Sequence, residues 1–486
     1  METNRTTEIE EYKIEQKGTR LLFAMILYFI ADFFPIIIGF FYTPQSLRLI
    51  NYVSIGQYIA NVIILQQIIG RLSFCSIFIT LSFIFHQTHI ILYVFDIDAD
   101  MLFDSYNVFS ENITSQATWF VIQTNCILLS GMLLGIHFST VFKTNSDNEK
   151  KTDYNAIVEV CKYLMFVGIL LLLYRHYLRY SIGVNEGYVA TLGKTAVSNG
   201  FIITFSYFFF ISFCIWIKYS QRSKAFITSL ILIYTAIEII YMSTGNRYEP
   251  IVSLLLIAYY YKNRFYSKLK PQQIIILLIT VLIVCQLTVF ISKARTETNI
   301  VDYASFEYLS PNDFFKSFFG EFGNSIYNVC QCFSYYSRGF SLVHFFEIGS
   351  IFLHIIPGLA SISEKTIVLT MYVLGLPNYT NMGGSFIGEL YFWGGINGFI
   401  LALPIGLIIG YYEKERVNGS VLHILLKTSV QFSLLFIVRG YLYENLRTIV
   451  WFIIVATIFY NSIVNKKTYS NRNASGDTHD SMHFSS

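Results

Sequence analysis

Arginine residues stand near the ends of several apolar segments of this sequence, where each could meet a ligand at a membrane surface. Arg247 closes the polar turn 243–247, Arg295 follows one apolar segment, and Arg439 ends another. The planar guanidinium fork binds a phosphate with two hydrogen bonds, so such a set suits a phosphate or diphosphate. Snorkelling or ordinary loop charge explains any single one of them equally well. The candidate phosphate-binding residues are Arg179, Arg247, Arg295, Arg338 and Arg439, and the wider set includes Arg175 and Arg447.

Glu389 is the leading candidate for a general base. It lies about one turn inside an apolar segment, after the glycine-rich stretch 382–388, where backbone can approach backbone closely. An ionised carboxylate at that depth needs a partner, which an arginine, a sugar hydroxyl or a purely structural contact would supply. A carboxylate or histidine beside a sugar hydroxyl can take up its proton during glycosyl transfer. Further candidates for this role, in the long segment before Glu389, are Glu321 and His344.

The composition is that of a membrane protein. Of the 486 residues, 54% are hydrophobic and 13% are charged, whereas soluble proteins carry about 25% charged residues. Repeated apolar segments near twenty residues long predict an all-α polytopic membrane protein with about twelve spans. Segment 248–261 is short unless it begins before Tyr248, and segment 188–217 is long enough to bend at Gly193 or Gly200. The predicted spans are 21–42, 50–70, 72–95, 117–142, 155–175, 188–217, 225–242, 248–261, 272–292, 384–411, 421–438 and 446–464.

The distribution of lysine and arginine predicts the orientation of these spans. About twenty of the 34 basic residues fall in the connections that are cytoplasmic if the amino terminus is inside. Both termini are then cytoplasmic, and one large loop is external. The predicted organisation is a leader 1–20, a first bundle 21–292, the external loop 293–383, three last spans in 384–464 and a cytoplasmic tail 465–486.

Other sequence patterns add little chemistry. His86 and His89 are three residues apart, a spacing that can bind a metal on a helix, but no third ligand is placed. The seven cysteines form no disulfide framework, and no internal repeat supports an inverted-repeat transporter. We therefore expect no metal, no cofactor and no nucleic-acid partner.

Four motifs resemble those of the O-antigen polymerases of the Wzy type. They are a Gly-x-Arg turn after a span, at 245–247, and a basic patch at 293–295 that begins a long late loop. The others are a Gly-Ser-Phe-x-Gly-Glu-x-Tyr stretch at 384–391 and an Arg-Gly pair at 439–440. Arg338 and Gly349 also match an Arg-x10-Gly spacing described for some members. The resemblance covers most of the chain in layout and its second half in motif.

The resemblance implies a bundle similar to that of GT-C glycosyltransferases, working without a nucleotide sugar or an essential metal. It implies a polymerase that acts on oligosaccharide repeat units linked to undecaprenyl diphosphate, at the outer face of the inner membrane. The growing glycan would pass from its lipid diphosphate to the non-reducing end of an incoming unit. Membrane lipid would surround the polyprenyl tail, and a chain-length regulator protein is a further possible partner.

Three other functions can be weighed against the same pattern. An O-antigen ligase would favour a catalytic histidine in the long loop, such as His344 or His354, and a polyprenyl-phosphate-sugar glycosyltransferase would use the acids at 96–100. A flippase or transporter for the lipid-linked oligosaccharide would instead bury charge at mid-membrane in many spans and lack a large outer loop. The sequence has the opposite bias.

Overall fold

The chain folds into a bundle of helices. A computed structural model describes residues 18–41, 46–69, 72–95, 97, 109–141, 153–186, 200–242, 248–266, 319–320, 322–323, 325–337, 352–353, 355–356, 384–414, 420–442 and 445–476. No β-strand occurs in these ranges. The helices are α1 (Gly18–Gly39), α2 (Leu47–Ile69), α3 (Phe74–Val94), α4 (Glu111–Val141), α5 (Tyr154–Glu186), α6 (Gly200–Tyr219), α7 (Lys224–Met242), α8 (Tyr248–Phe265), α9 (Ser325–Ser337), α10 (Phe386–Gly394), α11 (Ala402–Tyr411), α12 (Val421–Ile437) and α13 (Leu446–Gly476).

Nine helical segments in the described ranges are long and apolar enough to cross a membrane, and they coincide with nine predicted spans. One of them, Phe386–Tyr411, joins α10 to α11 through the 3-10 turn Gly395–Leu401. α12 is apolar but has 17 residues, and α8 begins at Tyr248, no earlier than its apolar segment. The predicted span 188–217 is helical from Gly200, whereas its first residues and the predicted span 272–292 lie outside the described ranges. The prediction of an all-helical, polytopic membrane protein is confirmed.

Contacts between helix ends divide the bundle into two sides. On the first side, Glu413 follows α11 and accepts a hydrogen bond from the backbone nitrogen of Cys75 at 3.2 Å. Lys427 of α12 donates to the carbonyl oxygen of Glu413 at 3.3 Å, and Arg264 of α8 donates to Ser220 at 3.1 Å. We call this side the Glu413 end. The opposite side carries the first turn of α10 and is called the Glu389 end.

Two glycine pairs bring α4 and α11 into backbone contact. Gly131 and Gly135 on α4 face Gly406 and Gly410 on α11, and a Cβ atom added at any of the four would collide with the backbone of the facing helix. Small residues spaced by four let membrane helices approach closely and pack through van der Waals contact. Because α11 continues the span that starts with α10, this contact fixes the helix that carries Glu389.

A buried polar cluster attaches α1 to the bundle. Asp32 lies in the π-helical turn Phe29–Phe33 and is fully buried. The side-chain amide of Gln57 on α2 donates to Asp32 at 3.2 Å and to the carbonyl oxygen of Ile122 on α4 at 3.0 Å. Polar side chains that form hydrogen bonds across helices hold membrane bundles together. This cluster joins α1, α2 and α4.

Candidate active site

Glu389 lies in the first turn of α10, at a well-capped helix start. Ser385 is the N-cap residue, with extended backbone, and its hydroxyl accepts a hydrogen bond from the nitrogen of Gly388 at 3.1 Å. The N-cap satisfies a backbone donor that the helix itself leaves open. The positive end of the helix dipole favours an anion in this turn. The Glu389 side chain is buried and its Oε2 accepts a hydrogen bond from the backbone nitrogen of Leu442 at 2.7 Å.

The start of α10 lies against the turn that follows α12. The backbone nitrogen of Gly384 donates to the carbonyl oxygen of Arg439 at 3.0 Å. A Cβ atom at Gly384 would lie 2.7 Å from the carbonyl carbon of Gly440, so only glycine permits this approach. Two of the sequence motifs, 384–391 and 439–440, are therefore neighbours at the Glu389 end.

Arg439 is half-buried and its guanidinium group faces two aromatic rings. Its central carbon is 5.8 Å from the ring centroid of Phe85 and 5.9 Å from that of Tyr248. Such geometry stabilises a cation without neutralising it. In the described part of the chain, the Arg439 side chain forms no ion pair with a carboxylate. Arg439 thus lies next to the segment that carries Glu389, with aromatic rings beside its guanidinium group.

His86 and His89 connect α3 to the Glu389 end. The His86 Nδ1 lies 3.1 Å from the carbonyl oxygen of Ser82, which can only accept, so Nδ1 carries the proton. In the neutral ring, Nε2 then accepts from the Ser385 hydroxyl at 2.9 Å. His89 Nε2 lies 3.0 Å from the carbonyl oxygen of Gly320. Both histidines hold neighbouring backbone or cap groups, and sequence reasoning assigned them no such role.

Tyr248 is the first residue of α8, and its hydroxyl binds the end of α12. It lies 2.7 Å from the carbonyl oxygen of Leu435, 2.8 Å from that of Phe436 and 3.3 Å from the nitrogen of Arg439. Its ring packs edge-on against Phe85 and Phe436. The sequence offered one weak signal for Tyr248, which is its position directly after Arg247.

Two of the outward arginines are bound by protein groups. Arg175 forms a bidentate ion pair with Glu249, with nitrogen–oxygen distances of 2.5 and 2.7 Å, and both side chains are buried. Glu249 therefore occupies the guanidinium fork that a phosphate would need, and Arg175 is a structural residue. Arg179 donates to the hydroxyl of Tyr241 at 2.9 Å, and its guanidinium carbon is 5.9 Å from that ring.

A second buried pair lies beside the Arg175–Glu249 ion pair. His176 Nε2 is 3.3 Å from a carboxylate oxygen of Glu238 on α7, and its ring stacks on Tyr241 with centroids 3.5 Å apart. Arg175 and Arg179 are four residues apart and share one face of α5, and together with the adjacent His176 they hold α7 and α8. Sequence reasoning missed both acidic partners because each lies on a different helix, far along the chain.

The remaining candidates, Arg247, Arg295, Arg338, His344 and Glu321, lie outside the described residues. Within the described ranges, no group of three His, Cys, Asp or Glu side chains is close enough to hold a metal ion. Glu389 and Arg439 are accordingly the candidate residues around which the site is built here.

The fold and the site define a multi-pass membrane protein that gathers a buried carboxylate and an arginine at one end of its bundle. The sequence profile of the family described as O-antigen polysaccharide polymerase Wzy matches residues 21–468, nearly the whole chain. The chain belongs to this family, and it is a membrane glycosyltransferase that polymerises lipid-linked O-antigen repeat units. Comparisons with curated proteins and with solved structures gave no match.

Proposed function

We propose that this polymerase performs glycosyl transfer between undecaprenyl-diphosphate-linked oligosaccharides at the Glu389 end of the bundle, at the outer face of the inner membrane. The observation that carries this proposal is the contact between segment 384–389 and the turn 439–442. The two segments carry an acidic and a basic candidate, and they are joined by the Gly384–Arg439 and Leu442–Glu389 hydrogen bonds. One side chain can take up a proton and the other can bind a diphosphate.

The reaction requires the protein to position the two substrates, to stabilise the charge on the leaving group and to take up a proton. A hydroxyl oxygen at the non-reducing end of the incoming unit attacks the anomeric carbon of the growing chain. The new carbon–oxygen bond forms as the bond to the diphosphate breaks, and undecaprenyl diphosphate leaves with the electron pair. Arg439 neutralises the charge that develops on the leaving group. Glu389 accepts the hydroxyl proton, because a carboxylate positioned beside a sugar hydroxyl can act as a general base.

The other candidate residues complete this site in our proposal. Arg247 directly precedes Tyr248 in the chain, so a phosphate-binding role at the Glu389 end agrees with the position of α8. Arg179 would bind the second phosphate of the diphosphate. Arg295 and Arg338 would approach from the loop 293–383, and Glu321 and His344 are the alternative bases there.

The proposed topology has twelve spans, both termini in the cytoplasm and the loop 293–383 outside, between the first bundle and the last three spans. The grouping of helix ends supports this arrangement. Connections that the positive-inside rule assigns to the cytoplasm contact one another at the Glu413 end, through Cys75, Glu413, Lys427, Arg264 and Ser220. The polyprenyl tail would lie in lipid beside the spans, and a chain-length regulator protein would bind from outside.

Deletion of the gene, followed by gel analysis of the lipopolysaccharide, tests the polymerase function in the cell. We expect the polymer ladder to disappear and one repeat unit to remain on the acceptor. Loss of every attached unit would overturn the proposal, because a ligase or a flippase is required even for the first unit.

Substitution of the arginines tests the diphosphate site. Arg247→Ala, Arg295→Ala and Arg439→Ala should each abolish chain elongation without loss of protein in the membrane. Arg48→Ala is the matched control, because Arg48 is exposed on α2, on the same predicted side, and is not placed in the site. Full-length polymer from all three site variants would remove the diphosphate-binding argument.

A further inference from the structure

The Tyr248 hydroxyl binds two backbone groups at the end of α12. These groups would bond to each other if the helix continued for one more residue. The carbonyl of Leu435 and the N–H of Arg439 are four residues apart, which is the helical spacing. The hydroxyl is 2.7 Å from the first and 3.3 Å from the second. One O–H group can donate to the carbonyl and accept from the N–H at the same time. The last groups of α12 are thus satisfied by a side chain from another helix.

The same side chain also forms part of the surface that Arg439 faces. The Tyr248 ring and the Phe85 ring lie at nearly equal distances from the guanidinium carbon, and the two rings pack edge-on with centroids 5.5 Å apart. Tyr248 therefore contacts Arg439 twice, through the backbone nitrogen and beside the guanidinium group. Because Tyr248 contacts both the backbone and the side chain of Arg439, it restricts the positions that the guanidinium group can adopt.

The start of α8 is itself fixed by a buried ion pair. Glu249 follows Tyr248 directly, and both of its oxygens bind Arg175 of α5. An ion pair of this geometry resists displacement, because separation of its members would leave an unpaired charge in an apolar bundle. Tyr248 thus has a rigid attachment from which to position Arg439.

We propose that Tyr248 is a positioning residue of the polymerase, which holds Arg439 in the orientation that binds the lipid diphosphate. This inference rests on the proposed role of Arg439. The hydroxyl sets the backbone of the turn after α12, and the ring sets the direction of the guanidinium group. Removal of the hydroxyl alone should therefore weaken substrate binding more than it weakens the bundle.

The chain supplies a matched control on the same pair of helices. Tyr260 is buried near the other end of α8, and its hydroxyl binds Thr428 at 2.9 Å and Gln431 at 2.7 Å on α12. Tyr248→Phe and Tyr260→Phe each remove one tyrosine hydroxyl between α8 and α12. Tyr248→Phe alters the contact between α8 and α12 that lies next to Arg439. Tyr260→Phe alters the contact near the opposite end of α8.

The test measures chain elongation by purified polymerase with lipid-linked repeat units. We expect Tyr248→Phe to raise KM for the lipid-linked unit about three- to tenfold, the effect of one lost hydrogen bond, with kcat within about twofold. Tyr260→Phe should leave KM unchanged, and both variants should melt at similar temperatures. Equal KM values for the two variants would overturn the inference.

A double-mutant cycle with Arg439→Ala separates this inference from the proposed function. Because Arg439→Ala should not elongate chains, the cycle measures the dissociation constant of the lipid-linked unit instead of KM. If Tyr248 acts through Arg439, adding Tyr248→Phe to Arg439→Ala changes this constant no further. Additive effects would overturn the positioning role even though Arg439 binds substrate. A wild-type dissociation constant for Arg439→Ala would instead remove the diphosphate role of Arg439, and the role of Tyr248 with it.

Discussion

Glu389 Oε2 lies 2.7 Å from the backbone nitrogen of Leu442, which is 53 residues further along the chain. The bond connects the first turn of α10 to the turn between α12 and α13, close to Arg439, which follows the end of α12. A backbone N–H is a fixed donor, so it sets the position of the carboxylate without adding a second charge. The geometry holds a carboxyl oxygen of Glu389 against the chain segment that follows Arg439.

Replacement of Glu389 by glutamine should remove the base and keep the structure. The glutamine side-chain oxygen can still accept from Leu442, whereas it cannot take up a proton. We expect polymerisation to slow by about 100-fold or more, within the range for loss of a general base, with a normal amount of protein in the membrane. The measurement is the lipopolysaccharide ladder of a complemented deletion strain, together with the elongation rate of the purified enzyme.

Glu413→Gln is the matched control for this substitution. Glu413 is equally buried, lies near the opposite end of the same span, and also accepts from a backbone nitrogen, that of Cys75. Its change to glutamine should leave the ladder intact. A full ladder from Glu389→Gln, or equal losses from the two variants, would mean that Glu389 is a structural carboxylate.

Breaking the Arg175–Glu249 ion pair should destabilise the bundle. Arg175→Met leaves Glu249 buried without its guanidinium partner, which costs about 3–5 kcal/mol for pairs of this kind. The double variant Arg175→Met, Glu249→Met replaces both charges by apolar groups and should recover most of that loss. Thermal unfolding in detergent measures the order of the three proteins. A double variant less stable than Arg175→Met would contradict this account.

Alanine at the glycines between α4 and α11 should force the two helices apart. Gly406→Ala and Gly410→Ala each place a methyl group against the backbone of α4, and overpacking of this kind costs about 1–3 kcal/mol. Gly56→Ala is the control, since a Cβ there meets no atom within 4 Å and alanine favours a helix. We expect lower melting temperatures for the first two and an unchanged or higher one for the third. Wild-type stability at Gly406→Ala would show that the helices do not pack this closely.

Cysteine labelling in spheroplasts tests the orientation. Ser363→Cys lies in the loop 293–383, and Ser146→Cys lies in the connection between the fourth and fifth predicted spans. A membrane-impermeant maleimide should label the first and not the second, and detergent should expose both. The opposite pattern would invert the topology and place the Glu389 end in the cytoplasm.

The spans were predictable from the sequence because every helix that crosses the hydrocarbon core of a bilayer needs about twenty consecutive, mostly apolar residues. Apolar length alone located nine helices that the structure describes. It could not foresee the π-helical turn around Asp32, or the hydrogen bond that Asp32 accepts from Gln57 on another helix.

The site was predictable only one residue at a time. Glu389 and Arg439 attracted attention because charge at membrane depth is costly, and Gly384 because it allows close approach. Their proximity depends on how α10 and α12 pack, which no local pattern encodes. Tyr248 was missed because a tyrosine at a membrane interface is ordinary, and the role of its hydroxyl appears only when Arg439 is placed beside it.

The Arg175–Glu249 ion pair has a consequence for the order of assembly in the cell. Its two members are 74 residues apart, so at about 5–20 residues per second the ribosome makes Glu249 about 4 to 15 s after Arg175. Throughout that interval the guanidinium group has been synthesised and its carboxylate partner has not. Glu238, which pairs with His176, is made earlier than Glu249 because it lies on α7. If α5 were released into lipid before Glu249 is made, the Arg175 guanidinium group would enter the bundle without this carboxylate partner, at a cost in free energy.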